Sequence, residues 1–234
     1  MRLPDVFAPY AENTQPAVPI EGYPNTVRRN PSRAPFARPY TRTELTGPVD
    51  LFSALKPGDD NLAVSAAGRV ALGQLIRVSG RVLDEEGRGV AGAIVELWQA
   101  NAAGRYAHVI DQRDAPLDPN FLGNGRTRTD DRGEYAFFTI KPGAYPVPDS
   151  GRWWRPPHIH FSVIGPGSLS RLVTQMYFPG DPLNEMDRLW LSVPDAEARA
   201  RLVARAVPPV EVEGEWLGYG HDLVLRGRHA TPAG

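Results

Sequence analysis

The 234-residue chain contains no cysteine. This absence excludes disulfide frameworks, thiolate zinc sites, iron–sulfur clusters and a cysteine nucleophile. The chain also lacks any run near the roughly 18 consecutive apolar residues of a membrane-spanning helix, so we expect no membrane contact. Its first residues have no long apolar segment of the kind found in signal peptides, which makes a cytoplasmic location the expectation. A net charge of -1 gives no reason to expect nucleic acid as a partner.

Turn-forming residues are abundant instead, with 23 glycines and 24 prolines, a composition typical of short strands joined by turns. Short strand-like runs between turn signals predict strands at 75–83, 93–99, 126–129, 134–140, 158–164, 172–178 and 222–226. The turn at 130–133 suggests that its two flanking strands form a hairpin-like unit. One short helix is predicted in the C-terminal half, at 195–205, with Asp195 as its N-cap. The expected fold class is all-β, a β-sandwich of mixed or antiparallel strands with long loops.

The chain divides into an extended N-terminal arm at 1–48 and a β-sandwich domain at 49–234. The arm is rich in proline and arginine and shows no sustained hydrophobic period, so we do not expect it to be a separate domain. One interpretation lays it over the body of the protein or over a neighbouring subunit. The alternative is that part of it lines a site for an anionic substrate.

Two histidines, His158 and His160, stand two residues apart at the start of a predicted strand. Alternate residues of a strand point to the same face, so their imidazoles lie side by side. Neutral imidazole is the commonest metal ligand in proteins. The spacing alone leaves two readings equally open: a metal site, or a pair of hydrogen-bonded histidines in a sheet. A carboxylate such as Asp149 would complete a facial triad, although an aspartate in a loop is more often a turn former.

Two tyrosines, Tyr106 and Tyr145, lie in loops punctuated by glycine and proline. Phenolate is a hard anionic oxygen donor, and together with imidazole it would suit a ferric ion better than zinc or copper(I). Free phenol has a pKa of about 10, so a tyrosinate needs a strongly acidic cation beside it. Packing is the alternative role for both tyrosines, and the spacing does not show that they meet the histidines.

Several longer motifs stand in series around these residues. They are VELWQAN at 95–101 with GRY at 104–106, APLDPNF at 115–121, TIKPG with YP at 139–146, and WRPPHIHF at 154–161. In order and spacing, over about residues 70–228, they resemble the intradiol ring-cleavage dioxygenases. Within that family they are most similar to the iron-bearing chains that act on protocatechuate (3,4-dihydroxybenzoate).

The resemblance implies a non-haem Fe(III) held by Tyr106, Tyr145, His158 and His160. It implies that Tyr145 leaves the metal when substrate binds and accepts a substrate proton. It also implies that Arg155 stabilises negative charge on the bound substrate.

Further roles carried over from the family concern the walls of the pocket. Gln175 would help to orient the site, Tyr23 would contact the substrate carboxylate, and Trp98 would pack near the iron. Val147 departs from the pattern, since the protocatechuate enzymes carry tryptophan at this wall. Leu189 resembles another apolar wall position.

The function implied is cleavage of protocatechuate by O2 to 3-carboxy-cis,cis-muconate, between the two hydroxyls. Val147 leaves open the same chemistry on catechol, hydroxyquinol or a substituted catechol. A third reading is a noncatalytic partner subunit with the same β-sandwich. The family also implies a homologous α-type subunit, with αβ units repeated in a larger oligomer.

Overall fold

Strands dominate the computed structural model of the chain, which describes residues 10–17, 20, 23, 33, 55–65, 67–166, 171–208 and 216–234. Most of the predicted arm at 1–48 therefore lies outside the described residues. The strands are β1 (Leu75–Leu83), β2 (Ile94–Trp98), β3 (Asn124–Arg128), β4 (Glu134–Ile140), β5 (Tyr145–Pro146), β6 (Trp154–Arg155), β7 (His158–Ile164), β8 (Arg171–Tyr177), β9 (Arg205–Val207), β10 (Leu217–Gly220) and β11 (Leu223–Val224).

Most of these strands form two sheets. In the first, β1 pairs antiparallel with β4 and parallel with β10 and β11, while β10 pairs with β9. The second has the antiparallel order β3-β2-β7-β8. A third, two-stranded sheet joins β5 to β6. The all-β prediction is confirmed.

The core lies between the two larger sheets. Val78 and Phe137 come from the first sheet, Leu97 and Phe161 from the second, and all four are fully buried in one apolar cluster. The rings of Phe137 and Phe161 meet edge to face across the sheets, with centroids 6.5 Å apart. Each large side chain buried in this way contributes about 1.5–3 kcal/mol to folding. Since one face of each sheet is used for the core, the other face of the second sheet is left for the histidines.

The predicted hairpin around 130–133 is wrong in one respect. Its strands, β3 and β4, flank the expected turn but belong to different sheets, β3 beside β2 and β4 beside β1. The alternation pattern is the same for a hairpin and for a turn that crosses from one sheet to the other. Only the strand partners distinguish the two cases.

Two short α-helices occur in the described part of the C-terminal half, where one was predicted. They are α1 (Arg188–Leu191) and α2 (Ala196–Ala200), and a 3-10 helix at Asn184–Met186 precedes α1. Asp195 caps α2 as expected, by accepting a hydrogen bond from Ala198 N at 2.7 Å. The helix ends earlier than the predicted boundary at 205, because the following residues hydrogen-bond to the end of β8 through the backbone of Tyr177.

A described part of the arm, residues 10–17, contacts the body of the chain. The backbone oxygen of Asn13 accepts a hydrogen bond from Asp195 N at 3.0 Å, and the side chain of Gln15 accepts one from Ala233 N at 2.9 Å. Among the described residues, no helix has both the length and the apolar character needed to cross a membrane.

Candidate active site

The two histidines lie on the outer face of the second sheet, at the start of β7. The intervening Ile159 points into the core and is fully buried. The strand register places Trp98 of β2 and Gln175 of β8 on either side of His160. The indole of Trp98 stacks on the His160 imidazole, with centroids 4.9 Å apart and an interplanar angle of 4°. Trp98 therefore fixes the plane of the imidazole.

His158 is oriented by the chain that precedes it. Its Nδ1 lies 2.7 Å from the carbonyl oxygen of Pro156, which can only accept a hydrogen bond. Nδ1 therefore carries the proton, and the lone pair of Nε2 is left to bind a metal. Burial, followed by the charge of Arg155, lowers the pKa of His158 well below its ordinary value. The same two causes lower the pKa of His160 to about 3. Both imidazoles are therefore neutral near pH 7, the form that binds metals.

Tyr106 is presented by a tight turn after β2. The Asn101 side-chain oxygen accepts hydrogen bonds from Ala103 N and Arg105 N, both at 3.0 Å. Gly104 has a φ of +78°, and a Cβ there would lie 2.3 Å from the carbonyl oxygen of Ala144. Only glycine fits at this position.

Close backbone contact also brings the second tyrosine loop to the first. Gly143 N donates a 3.0 Å hydrogen bond to the Asn101 carbonyl, and Ala144 lies against Gly104. Tyr145 then pairs with Arg155 in the β5–β6 ribbon. The phenol rings of Tyr106 and Tyr145 meet edge to face, with centroids 5.7 Å apart. These contacts explain why two tyrosines from separate loops converge.

Four donor atoms meet at one point. The hydroxyl of Tyr106 lies 3.1 Å from His160 Nε2 and 3.4 Å from His158 Nε2. The hydroxyl of Tyr145 lies 3.4 Å from His158 Nε2, and the two Nε2 atoms are 3.2 Å apart. Donors bound at about 2.0–2.1 Å to one ion, at angles of about 90–109°, lie roughly 2.9–3.4 Å from each other. The arrangement fits a single metal ion.

The chemistry of the donors indicates what kind of ion fits. Burial raises the pKa of Tyr106 well above its ordinary value and also raises that of Tyr145. Both are therefore phenols unless a strongly Lewis-acidic cation displaces their protons. In the described part of the chain, no three His, Asp or Glu side chains lie close enough together to form a metal site from these residue types alone. The facial triad with Asp149 is thus not formed, and two phenols with two neutral imidazoles suit a ferric ion.

Arg155 is almost completely buried and is held by a network that includes a residue missed in the sequence. Asp187 is fully buried, and its Oδ1 lies 3.1 Å from Arg155 Nε. The same carboxylate accepts hydrogen bonds from Trp153 Nε1 at 3.0 Å and from the Tyr177 hydroxyl at 2.9 Å. Arg155 Nη2 also donates to Gln175 Oε1. Burial acts to lower the pKa of Arg155, but Tyr177 and Asp187 outweigh it, and the guanidinium stays charged.

A second ion pair, also missed in the sequence, lies beside the two tyrosines. Arg113 donates from Nε to Asp111 Oδ1 at 2.8 Å and from Nη2 to Asp111 Oδ2. Asp111 Oδ2 also accepts the backbone N–H of Tyr106 at 2.9 Å. Burial acts to raise the pKa of Asp111, but the hydrogen bond from Arg113 and those from backbone N–H groups lower it to about 2. The carboxylate is therefore ionised near pH 7.

A cavity of about 1050 Å³ opens onto this donor cluster. Among the residues considered from the sequence, those that line it are Tyr23, Trp98, Tyr106, Tyr145, Val147, Asp149, Arg155 and His160. Gln175 and His158 are buried and do not line the cavity, and Gln175 accepts a hydrogen bond from Arg155. Leu189, expected to form another apolar wall, lies on α1 and is not one of the residues that line the cavity.

The other histidines do not join the cluster. His221 is buried near the core, with its ring 5.7 Å from that of Phe161. His108 lines the cavity but accepts a hydrogen bond from Ile110 N within its own loop. His229 is exposed at the surface.

Comparison with known proteins shows the family of the chain. A family model described as dioxygenase matches residues 45–227. The chain is 48% identical over 233 residues to the protocatechuate 3,4-dioxygenase beta chain of Burkholderia cepacia, covering 99% of each. It is 35% identical over 129 residues to the hydroxyquinol 1,2-dioxygenase of a Rhizobium species, covering 50% of this chain and 42% of that protein.

Among solved structures, the 3-chlorocatechol 1,2-dioxygenase of Rhodococcus opacus superposes with a TM-score of 0.54 at 25% identity, covering 70% of this chain and 64% of that one. Intradiol dioxygenases use non-haem iron. On the family match and the full-length similarity, the chain belongs to the intradiol ring-cleavage dioxygenases.

Proposed function

We propose that the chain is the iron-bearing subunit of an enzyme that cleaves protocatechuate with O2 to give 3-carboxy-cis,cis-muconate. The observation that carries the proposal is the meeting of two phenol oxygens and two imidazole nitrogens, each of which lies 3.1–3.4 Å from at least one of the others, with His158 Nε2 in contact with all three. The 48% identity to a protocatechuate 3,4-dioxygenase beta chain, over almost the whole chain, supports the choice of substrate.

In this proposal Fe(III) is held by Tyr106, Tyr145, His158 and His160. When bound, it would supply Lewis-acid chemistry that activates a catechol towards O2. The protein's own contribution is to keep the two imidazoles neutral and fixed in orientation. The Pro156 carbonyl and the Trp98 indole fix the orientations of His158 and His160 respectively. Burial and the charge of Arg155 keep both imidazoles neutral.

Arg155 provides the positive charge beside the substrate. It lines the cavity, yet only 1% of its side chain is exposed to solvent. A cation held rigidly in a site that excludes water stabilises developing negative charge more strongly than a mobile surface arginine does. The bonds to Asp187 and Gln175 provide that rigidity.

Tyr145 is assigned a second role: in the phenolate form that a bound Fe(III) would maintain, its oxygen would accept a proton from a substrate hydroxyl. The hydroxyl of Tyr23 is assigned to the substrate carboxylate, since Tyr23 lines the same cavity. The ring of Tyr23 rests edge to face on Trp153, with centroids 5.6 Å apart, and Trp153 in turn donates to Asp187. The same buried carboxylate thus supports both Arg155 and the residue assigned to substrate recognition.

We also propose that residues 49–234 form one catalytic domain, with 1–48 as an arm. The similarity to a beta chain favours a homologous α-type partner and αβ units in a larger assembly. Co-expression with such a chain, followed by size-exclusion chromatography with light scattering, tests the partnership. Stable co-elution is expected, and separate elution of the two chains would contradict it.

A second candidate function is the same chemistry on another catechol. Val147 lines the cavity and is small for a wall residue, which favours a bulkier ring substituent. Oxygen uptake by the iron-loaded protein, assembled with its partner, distinguishes the candidates. The main proposal predicts the highest kcat/KM for protocatechuate among protocatechuate, catechol, hydroxyquinol and 4-alkylcatechols. A higher value for one of the others would favour the second candidate, and no uptake with any catechol would reject both.

A further inference from the structure

Arg113 lies directly over the ring of Tyr145. The carbon at the centre of its guanidinium group is 4.1 Å from the ring centroid, well inside the distance at which a cation is attracted to an aromatic face. The contact reaches the ring and not the hydroxyl, so it leaves the phenol oxygen free to face His158. Arg113 therefore contacts one of the four donor residues without taking up its donor atom.

The guanidinium is not free to move away from this position. Two of its nitrogens are bound to the carboxylate of Asp111, in the paired geometry that fixes the plane of an arginine. The backbone N–H of Arg113 also donates to Asp111, at 3.2 Å. The third nitrogen, Nη1, is buried and has no hydrogen-bond partner in the described part of the chain. The Tyr145 ring is thus a main contact of the guanidinium beyond the ion pair.

The same carboxylate also fixes the other tyrosine. Asp111 Oδ2 accepts the backbone N–H of Tyr106 at 2.9 Å, and the Tyr106 hydroxyl lies 3.1 Å from His160 Nε2. Side-chain exposure in the pair is 18% for Arg113 and 9% for Asp111. A surface ion pair of this kind would be worth little, but this one is largely shielded from water.

We propose that Arg113 is a positioning residue that holds Tyr145 against the donor cluster, and that its ion pair with Asp111 sets the positions of both tyrosines together. The inference rests on the proposed function in so far as the donor cluster binds iron. A planar guanidinium is required, because it must bind a carboxylate through its edge and cover a ring with its face. Lysine provides the charge but not the flat surface.

The contact should influence iron retention and the resting state of the site. Loss of a partly desolvated cation–π contact is expected to raise the rate of Fe(III) release to a chelator roughly 2- to 30-fold in Arg113→Ala. The tyrosinate-to-iron absorption band of the resting protein should shift and weaken, since Tyr145 is less well placed. The melting temperature should change by only a few degrees, because the contact is confined to one loop and Asp111 keeps its hydrogen bonds from backbone N–H groups.

A metal-free measurement keeps this proposal separate from the proposed function. The protein is labelled with tyrosine carrying 13C in the ring, and the Tyr145 signal is assigned through Tyr145→Phe. Arg113→Ala should move that signal, and should speed amide exchange at Tyr106. Arg88→Ala is the matched control, because Arg88 forms a similar pair with Asp84 in an exposed turn and touches no tyrosine of the site.

The outcomes are distinct. A wild-type protein that binds no iron but shows the Tyr145 shift in Arg113→Ala would reject the proposed function and support the positioning role. An unchanged Tyr145 signal, iron-release rate and absorption band in Arg113→Ala would overturn the positioning role. Should Arg113→Ala fail to fold, Arg113→Lys takes its place, with the pair to Asp111 retained and the same Tyr145 signal expected to move.

Discussion

The buried network around Arg155 predicts a large effect of replacing Asp187. Its carboxylate accepts hydrogen bonds from Trp153 Nε1, Arg155 Nε, the Tyr177 hydroxyl and Leu189 N, at 2.9–3.4 Å. Asparagine has the same shape but offers one acceptor oxygen and introduces two N–H donors. Asp187→Asn therefore leaves donors unpaired, at about 1–3 kcal/mol each, and leaves Arg155 as a buried cation without its counter-ion.

Breaking a buried ion pair in this way costs about 3–5 kcal/mol, and we expect the free energy of unfolding to fall by that amount. The assay is urea denaturation, with an unchanged m-value as evidence that the folded state is otherwise intact. The fraction that folds should still bind iron but should turn over at least about tenfold more slowly, because Arg155 is no longer fixed.

Asp195→Asn is the matched control, because Asp195 caps α2 as Asp187 caps α1. Asparagine caps helices about as well as aspartate, so this variant should be close to neutral. A loss below about 1 kcal/mol in Asp187→Asn, similar to that in Asp195→Asn, would refute the reasoning.

Three further predictions concern separate parts of the chain. Gly104→Ala should separate the two tyrosine loops and abolish iron binding. Gly151→Ala is the control: Gly151 has a φ of +75° and open space around it, so the substitution should lower the free energy of unfolding by only about 1 kcal/mol and retain the iron. Equal iron content in both variants would contradict the role of the contact between Gly104 and Ala144. Burial lowers the pKa of His221 from 6.5 to about 4, so between these pH values the unfolded state binds the extra proton at this residue. His221 alone therefore removes about 3 kcal/mol of stability as pH falls through this range. His221→Asn should flatten the dependence of unfolding free energy on pH between 6.5 and 4, and His229→Asn should not; parallel curves for His221→Asn and the parent would reject this origin. Val147→Trp should narrow the cavity and raise the kcat/KM of protocatechuate relative to that of 4-alkylcatechols, and an unaltered ratio would exclude Val147 as a determinant of preference.

The sequence predicted most of the strands because they are short runs of strand-forming residues bounded by turn residues. The limits of β1, β4 and β7 agree with the predicted ranges 75–83, 134–140 and 158–164. The pairing of strands was not predictable in the same way, since the turn after β3 is compatible with a hairpin and with a change of sheet. The short helix α1 was also missed, because four residues carry too little periodicity to be recognised.

For the site, spacing alone predicted that the two imidazoles share a face, but not that the tyrosines meet them. That convergence depends on backbone contact between Gly104 and Ala144, which neither local propensity nor hydrophobic period encodes. Asp187 had a usable signal, since an aspartate just before a short apolar turn is a typical N-cap. Its second role, as counter-ion to Arg155 from 32 positions earlier, follows only from the packing of α1 against β6 and β8.

We propose that the four-donor cluster makes this chain an intradiol dioxygenase for protocatechuate. The most direct test supplies 18O2 and protocatechuate to the iron-loaded protein, assembled with its partner chain, and identifies the product by mass spectrometry. We expect 3-carboxy-cis,cis-muconate carrying both labelled oxygen atoms, with no product from His158→Ala. A ring opened outside the two hydroxyls, or equal product from His158→Ala, would contradict it.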